Sequence, residues 1–204
     1  VFLYEKDSNA RGNHSTPRNT ANEASAYLQF IVDYYDSMPP CTTFAFLHSH
    51  RYAYHQEDVL TLLNDLQPDT LGYCNLNSAV WGTREDPDRT LLYVHHREFA
   101  TKHLGDLPPL LLDRCCAQFA VAKDLVLSRP KVFYEDALRL ALHPDLNEDD
   151  KEQNRQRGLL FEWLWHYIFR EPAVNPEFLS LVPNLHQTDV VYADRRPRCV
   201  EASN

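Results

Sequence analysis

The sequence predicts an α/β fold: a short, mostly parallel sheet flanked by helices, in Rossmann-like or glycosyltransferase-A-like layers, within a single domain. Two observations predict it. Short continuous apolar runs, such as Thr42–Leu47, alternate with stretches whose apolar residues recur every three or four positions. The 204 residues, 44% hydrophobic and 24% charged, suffice for a full core without a metal or disulfide staple.

Val1–Tyr4 reads as the end of a strand and Lys6–Thr20 as a polar loop. Asn19 or Thr20 is placed to cap a helix over 21–35, because Ala24, Tyr27, Leu28, Ile31, Val32 and Tyr35 share a face. Pro39-Pro40 ends it. Thr42–Leu47 is short, β-prone and apolar, as a buried parallel strand should be. A helix over 56–66 and a strand over 71–76 follow. The charged segment 83–89 reads as a surface loop, and 99–104 is ambiguous. Cys115–Val121 reads as a buried strand leading into a helix at 123–128. Helices over 130–143 and 157–169 close the catalytic domain, residues 1–170, with an acidic turn at 144–152 between them. Residues 171–204 read as a loosely packed C-terminal extension containing Pro and Arg.

Composition narrows the function. A formal net charge of -9 argues against a surface that grips a phosphate backbone everywhere. The basic runs His95-His96-Arg97 and Arg195-Arg196-Pro197-Arg198 are the local exceptions. No apolar run reaches the roughly 18 residues that span a bilayer, so no membrane partner is expected. Five cysteines without a CxxC pair point to reduced thiols and a cytoplasmic location. Asn13-His14-Ser15 is a lone sequon, weak evidence for secretion. Val1 in place of an initiator Met suggests a trimmed chain.

Chemistry concentrates in a few places. His48-Ser49-His50, with His55 and Asp58 downstream, follows the strand at 42–47, and functional groups gather beyond strand ends in α/β sheets. Imidazoles there can move protons near neutral pH or ligate a metal, although a polar loop explains them too. Glu162 and His166 are one helical turn apart, so the carboxylate can hold the imidazole tautomer. Cys116 is a candidate nucleophile, with Gln118 beside it as a donor, although buried cysteines commonly act as small hydrophobes. Glu23, near the helix start, is explained by capping and dipole compensation, whereas Asp33 and Asp36 could bind a cation or a guanidinium, although exposed helix carboxylates are commonplace. Asp86-Pro87-Asp88 has the DxD form of nucleotide-sugar transferases but does not follow an apolar strand. The sequence has no GxGxxG, P-loop, GxSxG or HExxH.

Read together, Pro17-Arg18-Asn19, Glu23-Ala24, Ile31-Val32-Asp33, Phe46-Leu47-His48 with His50, Cys115–Val121 and Glu162 with Trp165-His166 resemble a family from fungal genomes known as a domain of unknown function. Its FLHxH (46–50) and CCAQFAV (115–121) segments carry the resemblance, which runs from about residue 17 to 169; Ala21-Asn22 stands where that family usually has Gly-Arg. The chain also resembles, in role, the arginine-containing cyclodipeptide synthases. That resemblance implies transfer of aminoacyl groups from charged tRNA, arginyl-tRNA among them, to form a cyclo-Arg-Xaa diketopiperazine without a cofactor or a bound metal. It implies His48, His50, Glu162, His166 and Cys116 as catalytic residues. It implies Asn19, Glu23, Asp36, His55, Asp58, Asn75 and Gln118 as substrate contacts, with carboxylates for a guanidinium and amides for the ester carbonyl. An acyl-enzyme on Cys116 or Ser49 stays open beside direct attack. Two alternatives stand: a glycosyltransferase-like enzyme, and a non-catalytic α/β binding module with exposed Trp163 and Trp165.

Overall fold

The computed structural model describes residues 1–6, 14–53, 55–68, 71–84, 98–184, 190–192, 197 and 199. The expected loop at 83–89 is corrected at Thr83 and Arg84, which lie in a strand because they pair with Leu111 and Leu110; residues 85–89, the DxD at 86–88, Asn13, the run at 95–97 and residues 195, 196 and 198 lie outside the described residues. The elements are β1 (Tyr4–Glu5), β2 (His14–Ser15), α1 (Ala24–Tyr34), β3 (Thr43–Phe46), α2 (Val59–Asp65), β4 (Tyr73–Asn75) and β5 (Ala79–Arg84). Then come α3 (98–103), β6 (Leu110–Arg114), β7 (Phe119–Ala122), α4 (Lys123–Leu127), α5 (Lys131–Ala141), α6 (Lys151–Ile168) and β8 (Val190–Tyr192).

The chain folds as two compact units. The first comprises Val1–Pro39, Arg89–Asp106 and Arg129–Phe161; the second comprises Pro40–Asp88, Leu107–Ser128 and Glu162–Asn204. In the first, β1 and β2 form a small parallel pair and α1 packs on α5. Leu28, Ile31, Phe133, Tyr134, Ala137 and Phe161 are buried in it. Arg18 donates to the carbonyls of Leu142, His143 and Leu146, so one guanidinium ties down the turn that follows α5. Thr20, an expected cap of α1, donates its hydroxyl to the Ala141 carbonyl instead (2.7 Å). Glu23 occupies the N-cap position, without a side-chain cap bond. Helix α6 starts at Lys151, earlier than the sequence pattern suggests, because Asp150 accepts from the amides of Glu152 and Gln153.

The second unit carries two three-stranded sheets, ordered β3-β7-β4 and β6-β5-β8, and every pairing within them is antiparallel. The expected parallel sheet is therefore corrected. Strands β3 and β4, joined through α2, run in the same direction, but β7 is inserted between them and pairs with both. Apolar content tells how deeply a strand is buried and says nothing of its neighbour's direction. Phe119 on β7 centres the core, with ring centroids 5.1 Å from Phe46, 5.5 Å from Tyr73 and 5.2 Å from Trp165. The extension after 170 is not a loose tail throughout: Phe178 is buried with Val80 and Leu112, and β8 pairs with β5. No helix among the described residues is long and apolar enough to cross a membrane.

Candidate functional site

Strand β3 ends at Phe46, and the chain then turns through His48-Ser49-His50 into the loop that holds His55. The three imidazoles converge. Their ring centroids are 5.0 Å (His48–His50), 6.1 Å (His48–His55) and 6.2 Å (His50–His55) apart. One nitrogen from each lies within 4.8 Å of the other two. His50 is exposed, His48 half-buried and His55 buried. Burial, and then the neighbouring imidazoles of His50 and His55, push the His48 pKa down to about 4. Burial also lowers His55. All three sit in the second unit.

Behind the imidazoles lies a chain of buried amides whose orientation is forced. Asn75 Nδ2 donates to the carbonyls of Arg114 (2.8 Å) and Cys115 (3.1 Å), and a carbonyl only accepts. Asn75 Oδ1 is therefore the acceptor for the Asn77 backbone amide (3.0 Å) and for Asn77 Nδ2 (2.8 Å). Asn77 Nδ2 also donates to the Gln118 carbonyl, which leaves Asn77 Oδ1 facing His55 Nδ1 at 2.9 Å. His55 must carry its proton on Nδ1 and keep its lone pair on Nε2. Gln118 joins the same set, its side-chain oxygen accepting from the His48 amide (3.1 Å).

The other expected residues have clear places. Asp58 caps α2 by accepting from the Leu60 amide (3.1 Å), and Arg51 holds its carboxyl well below the usual range. Asn19 donates its backbone amide to Glu148. Asp36 is paired with Lys131 at 2.5 Å. Glu23 lies at the start of α1, a full helix away from Asp36. Burial pushes the Glu23 pKa up to about 7. Its neighbour Lys6, which donates to the carbonyls of Thr20 and Asn22, is pushed down to about 8 by burial. These four positions have structural roles or partners within their own surroundings.

Glu162 and His166 line a narrow crevice with Trp81, Asp113, Arg114 and Trp163. None of the three early histidines is on its wall. His166 is buried, and its Nε2 donates to the Ala173 carbonyl (3.2 Å), the role expected of Glu162. Burial lowers its pKa, against the pull of Asp113. Asp113 in turn accepts from Asn175 (2.8 Å). The buried indole nitrogen of Trp81 has no hydrogen-bond partner among the described residues. Trp165 is fully buried, which removes it from any partner surface.

The cysteines depart from expectation. Cys115 and Cys116 are joined to each other, and Cys74 is joined to Cys199. The pair at 115–116 lies in the turn between β6 and β7, not in a strand, and Cys116 has a φ of 68°. A strand would send successive side chains to opposite faces; the left-handed residue lifts that restriction. The sulfur of Cys116 is bonded to its neighbour, so the expectation of a free thiolate nucleophile is corrected. Cys41 is the free cysteine among the described residues, and it is exposed.

A family model described as "Protein of unknown function (DUF3431)" matches residues 1–180. The chain belongs to that family. No curated protein and no solved structure matches it. Membership in DUF3431 agrees with the resemblance to a domain of unknown function and carries no activity with it. Asn77, Trp81 and Asp113 were missed by sequence reading. The alternation Asn75-Leu76-Asn77 at a strand end, two amides one residue apart, was the available signal for the first.

Proposed function

We propose that this chain is a group-transfer enzyme whose reaction centre is the imidazole cluster at the end of β3. The single observation that carries the reading is the convergence of His48, His50 and His55 against the oriented amides of Asn75, Asn77 and Gln118. Side chains that merely solvate a loop gain nothing by pointing ring nitrogens at one another.

The substrate reading follows the resemblance: aminoacyl-tRNAs, one of them arginyl-tRNA, joined to a cyclo-Arg-Xaa diketopiperazine. The α-amine of one aminoacyl group attacks the ester carbonyl of the other, an N–C bond replaces the C–O bond, and the proton passes by way of an imidazole to the departing tRNA hydroxyl; the free α-amine of the dipeptidyl-tRNA then attacks the remaining ester in the same way, closing the ring and releasing the second tRNA. His48, near 4, is too weak a base for an ammonium group, so exposed His50 takes that role. For the guanidinium, Asp36 is already paired and Glu23 is enclosed at the other end of its helix. The crevice at Glu162 and Asp113 is narrow and is also lined by the cation of Arg114, so no carboxylate pair is assigned to the guanidinium.

A glycosyl-transfer reading stands second. Sugar-nucleotide chemistry commonly needs a cation at the pyrophosphate, and the imidazoles offer such a position where the DxD at 86–88 lies outside the described residues. One experiment separates the two. The full chain is expressed in a heterologous host, and extracts are searched for arginine-bearing diketopiperazines by mass spectrometry. Product is expected, and His50→Ala should abolish it. Folded, abundant protein without product, combined with hydrolysis of a sugar-nucleotide donor in vitro, would transfer the reading to glycosyl transfer.

A further inference from the structure

We infer that His48, His50 and His55 bind one divalent transition-metal ion of the zinc class, a site that uses the residues of the proposed reaction centre and, while occupied, makes His50 a ligand in place of the base. In a tetrahedral zinc site with Zn–N near 2.0–2.1 Å, ligand nitrogens are about 3.3 Å apart. Here they lie within 4.8 Å, so closing each separation by about 1.5 Å or less brings them onto one ion. Side-chain rotations supply that movement, because His50 is exposed and its loop follows a strand end.

The second argument is the forced tautomer of His55. Metal-bound imidazoles donate their other nitrogen to a fixed acceptor, which aims the ring and strengthens the ligand. Asn77 Oδ1 is that acceptor, and its identity is fixed through Asn75 by the carbonyls of Arg114 and Cys115. The lone pair of His55 is therefore on Nε2 without any rearrangement. An imidazole held only for structure does not need its proton position dictated through three hydrogen-bonded groups.

The third argument is the donor set. Three neutral imidazoles leave the ion's full charge in place and a fourth position for an oxygen ligand, water or substrate. Imidazole selects zinc, copper, nickel or ferrous iron, and sites for magnesium are built from oxygen. The ion would supply Lewis-acid polarisation to an oxygen in that fourth position.

The test uses the purified full chain, stripped with a chelator, checked by circular dichroism, and titrated with zinc chloride in a calorimeter and with cobalt chloride by visible absorption. One equivalent is expected, with the d–d bands of a four-coordinate nitrogen-rich site. His50→Ala, at an exposed position, should remain folded and lose binding by a hundredfold or more. Asn77→Ala should weaken it about tenfold, or more, through the lost acceptor. A folded chain that takes up no zinc or cobalt would overturn the site, as would uptake unaffected by His50→Ala or a preference for magnesium. Failure here is separable from failure of the transfer reading. Diketopiperazine formed by a chain that takes up no zinc or cobalt would sink the metal and keep the transferase; stoichiometric metal in a chain without product would do the reverse.

Discussion

The two units treat their polar interiors in opposite ways. In the first, His103 Nε2 faces Asp136 at 2.6 Å, and Lys102 and Arg139 close on the same carboxylate. Arg18 is held in the same way, by Glu148 and the carbonyls after α5. In the second, the histidines at 48, 50 and 55 face one another, backed by uncharged amides. A histidine that meets a carboxylate is accounted for by folding. Three imidazoles that converge on one point, backed by amides and no carboxylate in those bonds, are arranged as a set of donors.

The comparison breaks most readily at Asp136. Asp136→Ala removes the carboxylate that Lys102, His103 and Arg139 share and should destabilise the chain by about 3 kcal/mol, read as a lower urea midpoint. His50→Ala, in the other unit, should leave the same midpoint unchanged within about 0.5 kcal/mol. Equal losses in both variants would show that the imidazole cluster is structural as well.

A subtler effect lies at Glu23. Its folded pKa of about 7 stands above the ordinary carboxylate value of 4.5, because burial disfavours the charged form. The native chain then holds a proton that the unfolded chain has released, and this contribution to stability is full below pH 4.5. It is lost as the pH rises to about 7. Lys6, lowered to about 8, works the other way, its contribution returning between about 8 and 10.5. The Glu23→Gln variant should lose the decline between 4.5 and 7, so the difference between the two chains' stability–pH curves isolates it. Parallel curves would mean that the carboxyl is solvated.

The smallest expected effect is at Ala21, which has a φ of 55°, followed by Asn22 at 46°. A side chain there is strained, and glycine is not. Ala21→Gly should raise stability by about 0.5–1 kcal/mol in thermal unfolding. A loss instead would mean that the buried methyl group contributes more than the backbone strain costs.

Much of the local structure was legible. Apolar periodicity located α1 and α5 to within a few residues, and β3 and β4 fell inside the segments read as strands, because burial of one face leaves a repeat in the sequence itself. The start of α6 was not legible, since Asp150 as its cap sits inside what looked like an acidic turn. Of the candidate site, the three histidines were visible as an unusual local density. Asp58 belonged instead to a helix cap and Asn19 to a contact with Glu148, roles that leave the same residue types in the sequence as substrate binding does.

Chain chemistry alone determined where α1, α5, β3 and β4 form, which of their faces are apolar, and that imidazoles crowd the end of β3, because these are properties of near neighbours. Tertiary structure alone decided that β7 lies between β3 and β4, that Cys74 meets Cys199 across 125 residues, and that Asn77 dictates the proton position of His55. Strand order, disulfide partners and side-chain tautomers depend on groups far apart in sequence, and no short-range pattern encodes which distant group will arrive.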